Sequence, residues 1–201
     1  MKTEFASRCG KGLGFLLCLM PLALLAFRVL SGDLGPNPVE TLSHTTGDWA
    51  LRLLLLTLAL GPLALLPGLS WVKRFGRLCG LFAFFYALLH LVIYLVLDQD
   101  MNWEDIGNDL TERPFILAGL GAFGLLIPLA VTSTHGWRER LGPVWHRLHR
   151  LSYVSAGLAV LHFLCLAKAD LREPLIYGVV LLGLLVWRLM SKSRQRGKTF
   201  I

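Results

Sequence analysis

The chain has 201 residues, of which 55% are hydrophobic, and its formal net charge is +7. Its mean hydropathy is +0.60, which argues against an ordinary soluble domain and indicates a membrane protein. The four cysteines are scattered, and no C-x-x-C-H motif for covalent haem attachment occurs.

Six segments approach the roughly 20 apolar residues that a membrane-spanning helix needs. We predict helices because backbone in lipid must satisfy its own hydrogen bonds, and the Leu-rich runs do not alternate as barrel strands do. The segments cover residues 13–30, 49–66, 78–97, 115–131, 148–166 and 175–190. The sequence therefore predicts an all-α fold, a single domain over residues 1–201 that forms a bundle of six transmembrane helices.

The first segment follows three basic residues, as a signal peptide would, but it lacks a clean small-x-small cleavage site. We therefore interpret it as a retained helix. Fifteen of the 20 Lys and Arg residues lie in the two terminal tails and in the second and fourth connections. The positive-inside rule then predicts a multi-pass membrane protein with both termini in the cytoplasm.

The acidic residues lie mostly on the opposite side, and six of them fall between Asp98 and Glu112. The positive charge is thus explained by topology and anionic-lipid contact rather than by nucleic-acid binding. In the acidic connection, Trp103, Ile106 and Leu110 recur at helical spacing. This spacing predicts a short amphipathic helix on the membrane surface or, as the alternative, a docking surface for a basic partner.

Two histidines are predicted at the same depth on two helices that run in the same direction. His90 lies 13 residues beyond Arg77, and His162 lies 13 residues beyond His149. Each is therefore roughly 20 Å along its helix, toward the outer leaflet. An ionisable residue inside the membrane is a functional candidate, although a histidine bonded to a neighbouring carbonyl is the simpler alternative.

Small residues accompany both histidines, and they favour space for a flat ligand or, alternatively, close helix packing. These residues are Gly80, Ala83 and Ala87 before His90, and Ser155 and Ala159 before His162. Zinc would need three or four ligands, which are not grouped at this depth. No dinucleotide-binding fingerprint or hydrolase triad is present. A b-type haem between two imidazoles needs only two facing histidines and a flat apolar slot.

Four stretches carry a resemblance to a known family: RLCGLFAFFYALLHLVIY, TERPFILAG, TSTHGWRERLGPVWHRLHRLSYV and VLHFLCLAK. Together they resemble the MsrQ (YedZ) family of the ferric-reductase-like transmembrane superfamily, over nearly the whole chain from Gly47 to Trp187. The resemblance implies six helices, one or two haem b groups, FMN, and haem-linked histidines at His90, His149 and His162. It also implies a location in the bacterial inner membrane and electron delivery to a periplasmic molybdopterin-dependent methionine sulfoxide reductase.

The inner side raises a separate question. The NADPH oxidases, which belong to the same superfamily, carry a second histidine on the third helix where this chain has Gly76. His149 is therefore left without a predicted partner. It is interpreted as the ligand of a second haem or as a contact for a flavin or a propionate. Arg77, Arg147 and Arg150 at similar depth suit the oxyanions of such groups, or they are ordinary positive-inside charge.

Three functions stay open at this point. The first is a transmembrane electron carrier that takes electrons from a cytosolic flavin reductase or a membrane quinone and leaves the sulfoxide chemistry to its partner. The second is a stand-alone metal or quinone reductase of the ferric reductase or cytochrome b561 type. The third is a non-redox transporter or scaffold. His44, His135 and His146 are expected to be solvated or interfacial.

Overall fold

A computed structural model of the chain describes residues 2–167 and 170–197, and within them the side chains of residues 10–167 and 170–191. All regular structure in these residues is helical, in agreement with the predicted fold class. Lys168 and Lys198, two of the residues counted in the charge asymmetry, lie outside the described residues.

The helices are α1 (Lys2–Leu30), α2 (Pro38–Leu63), α3 (Gly76–Ile93), α4 (Trp103–Glu112), α5 (Pro114–Val131), α6 (His135–Leu141), α7 (Pro143–Leu148), α8 (Leu151–Leu166) and α9 (Arg172–Gly197). A 3-10 helix, Ser70–Phe75, leads into α3, and a π-helical turn, Tyr94–Asp98, continues it. Five helical stretches are long and apolar enough to cross a membrane: Gly10–Leu30, Ser70–Asp98, Pro114–Val131, Pro143–Leu166 and Arg172–Ser191. They correspond to five of the six predicted segments.

The remaining predicted segment, 49–66, lies largely in α2, which is less apolar because it carries Asp48 and Arg52. This helix begins at Pro38, well before the predicted segment, and the Asn37 side chain caps it by accepting from the Glu40 N–H. Its first turns contain polar residues between positions 40 and 48, so the hydropathy pattern did not predict them as part of a membrane helix. α2 buries a row of leucines: Leu51, Leu53, Leu54, Leu55, Leu58 and Leu60.

Four helices surround the centre of the bundle. α2 packs most extensively against α3, and α5 against α8, while α3–α5 and α2–α8 contacts close the ring. α1 packs against α2 and α3, and α9 packs against α8 and α2. The outward-facing sides of these helices expose many large apolar residues, as expected for helices that face lipid.

A tyrosine from α3 joins α1 to this ring. The Tyr86 hydroxyl donates to the Cys18 carbonyl at 2.9 Å and accepts from the Leu22 N–H at 3.1 Å. These two backbone groups are a normal helical i, i+4 pair, and Pro21 lies between them. Because a proline disturbs the bonding of the turn before it, the buried hydroxyl provides a partner for both groups.

The fifth predicted segment, 148–166, is not one helix. α7 ends at Leu148 and α8 begins at Leu151, so that His149 and Arg150 form a turn between them. The 13 residues from His149 to His162 therefore do not lie on one uninterrupted helix. Ideal helical geometry does not predict the angle between these two side chains. His149 and Arg150 both keep right-handed helical backbone angles, so Pro143–Leu166 still forms one apolar stretch long enough to cross a membrane, with a local turn at His149.

The acidic connection does contain the predicted short helix, α4. The Asn102 side chain caps it by accepting from the Glu104 N–H, and a tight turn with positive φ at Asp100 and Met101 precedes it. α4 packs against the start of α5. It therefore lies at the end of the bundle where α3 ends and α5 begins.

Candidate functional site

His90 and His162 face each other in the middle of the four-helix ring. Their ring centroids are 6.2 Å apart, and the ring planes are inclined by 80°. His90 is in the last turn of α3, and His162 is near the end of α8. The structure thus brings together the two histidines that were predicted to lie at equal depth.

Each imidazole is held by a backbone carbonyl of a neighbouring helix. His90 Nδ1 donates to the Ser43 carbonyl at 2.9 Å, and His162 Nδ1 donates to the Phe115 carbonyl at 2.7 Å. An N–H at Nδ1 leaves the Nε2 lone pair of each neutral ring available. Metal-bound histidines show the same arrangement, because the outer hydrogen bond fixes the tautomer and the ring orientation.

A glycine stands beside each ring, one helical turn after the carbonyl that the ring contacts. A Cβ at Gly47 would lie 3.2 Å from His90 Nδ1, and a Cβ at Gly119 would lie 2.8 Å from His162 Nδ1. Ser43 and Gly47 are four residues apart in α2, as Phe115 and Gly119 are in α5. The bare glycine lets the ring approach the backbone closely enough to reach the carbonyl.

A cavity of about 440 Å³ extends from these two rings between the four helices. Ala87, Ser155 and Ala159 line it, as predicted for a slot that holds a flat ligand. Gly80 instead faces Thr57 of α2, and Ala83 is fully buried in helix packing. Both interpretations of the small residues therefore apply, each to a different part of the chain.

The separation of the rings suits one metal ion between two Nε2 atoms. Two metal–nitrogen bonds of about 2 Å, plus about 1 Å from each nitrogen to its ring centre, give about 6 Å. In the described part of the chain, no three His, Cys, Asp or Glu residues are grouped as a metal site. Two imidazoles alone do not complete a zinc site, whereas they do complete the axial coordination of a haem iron.

His149 lies elsewhere. Its ring stacks on Trp145 at a centroid distance of 3.8 Å, Nδ1 donates to the Trp145 carbonyl at 3.2 Å, and the ring lies near the Leu129 backbone. It is not among the residues that line the cavity between His90 and His162. The structure therefore does not bring the three predicted histidines into one site.

The three arginines predicted on the inner side are also remote from the cavity. Arg77 is at the start of α3, and Arg147 and Arg150 flank the turn before α8, at the opposite ends of these helices from His90 and His162. All three are exposed, as expected for charges at a membrane surface. Their predicted role toward a flavin or a propionate stays a prediction.

The remaining histidines are surface residues, as expected. His44 pairs with Glu40 at 3.8 Å, and the exposed His135 pairs with Glu139 at 3.3 Å. His146 is exposed and contacts the edge of the Trp145 ring.

Comparison with known proteins identifies the family to which the chain belongs. Residues 46–160 match the ferric reductase like transmembrane component family. A protein of Caulobacter vibrioides is 47% identical over 94% of this chain and 90% of its own length. Proteins of Xanthomonas axonopodis pv. citri and Rhodospirillum rubrum are each 46% identical, over 98% and 94% of this chain and 94% and 91% of their own lengths. All three carry the name protein-methionine-sulfoxide reductase heme-binding subunit MsrQ.

The chain belongs to the MsrQ family. Together with the five apolar helices, the match to a transmembrane family shows a multi-pass membrane protein with a ferric-reductase-like core. The family description and the names of the MsrQ relatives do not mention a flavin, so FMN stays a prediction for this chain.

Four residues around the MsrQ-family histidines were missed by the sequence analysis: Ser43, Gly47, Phe115 and Gly119. The available signal is a glycine that lies near the start of a helix, four residues after the residue whose carbonyl accepts from the imidazole. Such a spacing is common in any sequence. It gains meaning only once α2 is known to pack beside α3, and α5 beside α8.

Proposed function

We propose that this protein is a haem-binding membrane subunit that relays electrons to a separate methionine sulfoxide reductase. The observation that carries the proposal is the pair of facing histidines. Nδ1 of each is bonded to a carbonyl, and Nε2 of neither has a hydrogen-bond partner among the described residues. The names of the MsrQ relatives, which describe heme-binding subunits of that reductase, support it.

In this proposal His90 and His162 would hold one haem b, which would supply one-electron transfer. A haem iron with two imidazoles is six-coordinate, which favours one-electron transfer over oxygen binding. The carbonyls of Ser43 and Phe115 hold the two rings in position and increase the basicity of the ligating nitrogens. Because the rings are already fixed, little rearrangement accompanies a change of oxidation state.

We further propose six membrane crossings, with α2 as the sixth and both termini in the cytoplasm of a bacterial inner membrane. The Arg52 guanidinium contacts Asp48 at 3.3 Å and the Tyr177 hydroxyl at 2.8 Å, so the charges of α2 are paired within the bundle. Paired charges that face other helices are tolerated in a membrane. With this topology His90 and His162 lie toward the periplasm.

Sulfoxide reduction is assigned to a partner, a periplasmic molybdopterin-dependent reductase. Each sulfoxide needs two electrons and two protons to become a thioether and water, so the partner receives two successive one-electron transfers. The outer connections of this chain are short, and α4 occupies most of the longest one. They are therefore shorter than a separate substrate-binding domain would need.

The proposed electron donor is a cytosolic flavin reductase or a membrane quinone, because these 201 residues contain no dinucleotide-binding fingerprint. The inner-side residues His149, Arg77, Arg147 and Arg150 are proposed to serve this entry of electrons, through a second haem or FMN. A stand-alone metal reductase is the second candidate. The match to the ferric reductase family favours it.

The haem assignment is tested by absorption spectra of purified variants. His90→Ala and His162→Ala should each lose the low-spin b-type spectrum, because one axial ligand is gone. His135→Ala is the control, since its side chain is 82% exposed and pairs only with Glu139. His149→Ala should keep the spectrum of the His90/His162 haem and slow its reduction from the inner side. An unchanged spectrum in His90→Ala or His162→Ala rejects the pairing.

The relay is tested with membranes that contain the reduced protein, the purified partner and a methionine sulfoxide substrate. Reoxidation of the haem should need both the partner and the substrate. Reoxidation by a ferric chelate alone, at a rate that the partner does not change, would favour the stand-alone metal reductase. Absence of reoxidation with both additions would reject the relay.

A further inference from the structure

One cation stands at the edge of the cavity that contains His90 and His162. Among the described residues that line this cavity, Arg113 is the one Lys or Arg, whereas carboxylates line it at Glu40, Asp48 and Asp98. Arg113 is two residues before Phe115, whose carbonyl binds His162. Its guanidinium is therefore placed at the rim of the cavity near the His162 side.

A buried carboxylate holds Arg113 in place. Asp109 of α4 is only 7% exposed, and its Oδ1 lies 3.2 Å from Arg113 Nε. The other oxygen, Oδ2, accepts from the Tyr94 hydroxyl at 3.0 Å and from the Gln99 side-chain amide at 3.0 Å, and lies 3.5 Å from Arg113 Nη1. Asp109 is thus fixed from the end of α3 and from α4 at once, and Arg113 is fixed through it.

This arrangement leaves several N–H donors of the Arg113 guanidinium that Asp109 does not contact. A guanidinium has five N–H donors in a rigid fork, and Asp109 takes those at Nε and at one of the two Nη atoms. The Arg113 side chain is 53% exposed. The remaining N–H groups are thus available to an acceptor at the rim.

We propose that Arg113 binds a carboxylate of the haem held by His90 and His162, and that Asp109 is the residue that positions it. The inference rests on the proposed function and adds the orientation of the bound group. Arginine forks match carboxylates in a bidentate way. The carboxylates of Glu40, Asp48 and Asp98 repel a second carboxylate along the rest of the rim, so the haem propionates are directed toward Arg113.

The test separates this contact from haem binding itself. Protein produced without haem is titrated in detergent with haemin and with haemin dimethyl ester, in which both carboxylates are blocked. The wild-type protein should bind haemin at least about tenfold more tightly than the ester, because hydrogen bonds to charged groups are worth that much. Arg113→Gln should lose most of this preference while still giving a low-spin bis-histidine spectrum.

Arg172→Gln is the matched control, since Arg172 is an exposed arginine on the same side of the bundle that does not line the cavity. It should keep the full preference for haemin. Comparing the ratio of the two affinities between variants cancels the steric effect of the ester groups, as in a double-mutant cycle. Asp109→Asn should reduce the ratio, because Arg113 is no longer held in position. Arg113→Gln should also lower the midpoint potential, because a positive charge beside the haem is lost, and a purely structural role would not predict this shift.

Equal affinities for haemin and its ester in the wild-type protein would overturn the inference and leave the haem assignment standing. So would an unchanged ratio in Arg113→Gln, or an equal loss in Arg172→Gln. A wild-type protein that binds neither compound with a low-spin spectrum would reject the proposed function itself. The two failures are therefore distinguishable.

Discussion

The position of each imidazole depends on a residue that has no side chain. Gly119 lies against His162, where a Cβ would come within 2.8 Å of Nδ1, and Gly47 lies against His90 with a somewhat larger separation of 3.2 Å. Both neighbours are ring atoms held by a hydrogen bond to the backbone. They cannot move away without losing that bond, so these glycines define where the rings can stand.

Gly119→Ala should displace the His162 ring and weaken haem binding by about tenfold, because overpacking of this kind costs about 1–3 kcal/mol. The measurement is the haem content per polypeptide together with the low-spin spectrum. Gly124→Ala, in the same helix, has nothing within 4 Å of the added Cβ and should leave both unchanged. Equal haem content in the two variants would contradict the role given to Gly119.

At the scale of the helices, α1 depends on one hydroxyl from α3. Tyr86 is 1% exposed, and its hydroxyl lies between the Cys18 carbonyl and the Leu22 N–H beside Pro21. In a membrane, a backbone group without a partner is costly because no water can replace it. The proline and the tyrosine therefore act together in attaching α1 to the bundle.

Tyr86→Phe should lower the free energy of unfolding by about 1–3 kcal/mol, the usual cost of leaving buried groups unsatisfied. Thermal unfolding of the purified protein in detergent measures the change. Tyr153→Phe is the control, because the Arg188 guanidinium lies over the Tyr153 ring, and that contact does not need the hydroxyl. If both variants unfold alike, the hydroxyl of Tyr86 does not stabilise α1.

At the scale of the whole molecule, the charge asymmetry predicts the orientation in the membrane. A periplasm-dependent reporter fused after Ile201 should be inactive, and the same reporter fused after Asp100, in the turn before α4, should be active. The reason is the 15-to-5 division of Lys and Arg between the two sides. Activity at Ile201 would invert the topology and move His90 and His162 to the cytoplasmic side.

Much of the bundle follows from the sequence, because hydropathy and charge act on each helix separately. Each long apolar segment can be recognised without knowledge of the other segments. Five of the six predicted segments are confirmed as long apolar helices. The equal depth of His90 and His162 follows from counting residues at 1.5 Å each. α2 was predicted too short, because a central helix surrounded by protein tolerates polar residues that a hydropathy pattern treats as outside the membrane.

The site itself required the tertiary structure. Depth is a property of one helix, but the direction in which a side chain faces and the helix it meets depend on how helices pack. Only packing shows that the carbonyls of Ser43 and Phe115 receive the two imidazoles and that Gly47 and Gly119 make room for them.

The same reason explains His149 and Arg113. His149 was grouped with the other histidines by its position in the chain, yet a turn before α8 directs it toward Trp145 instead. Arg113 was not singled out by the sequence analysis, since it is one of the five Lys and Arg residues outside the basic tails and connections, yet Asp109 holds it at the cavity. The sequence alone predicts which residues lie in the membrane and at what depth, because these depend on each helix's transfer into lipid. Which of them meet was decided by the tertiary structure, because a contact requires two helices to present the right faces to each other.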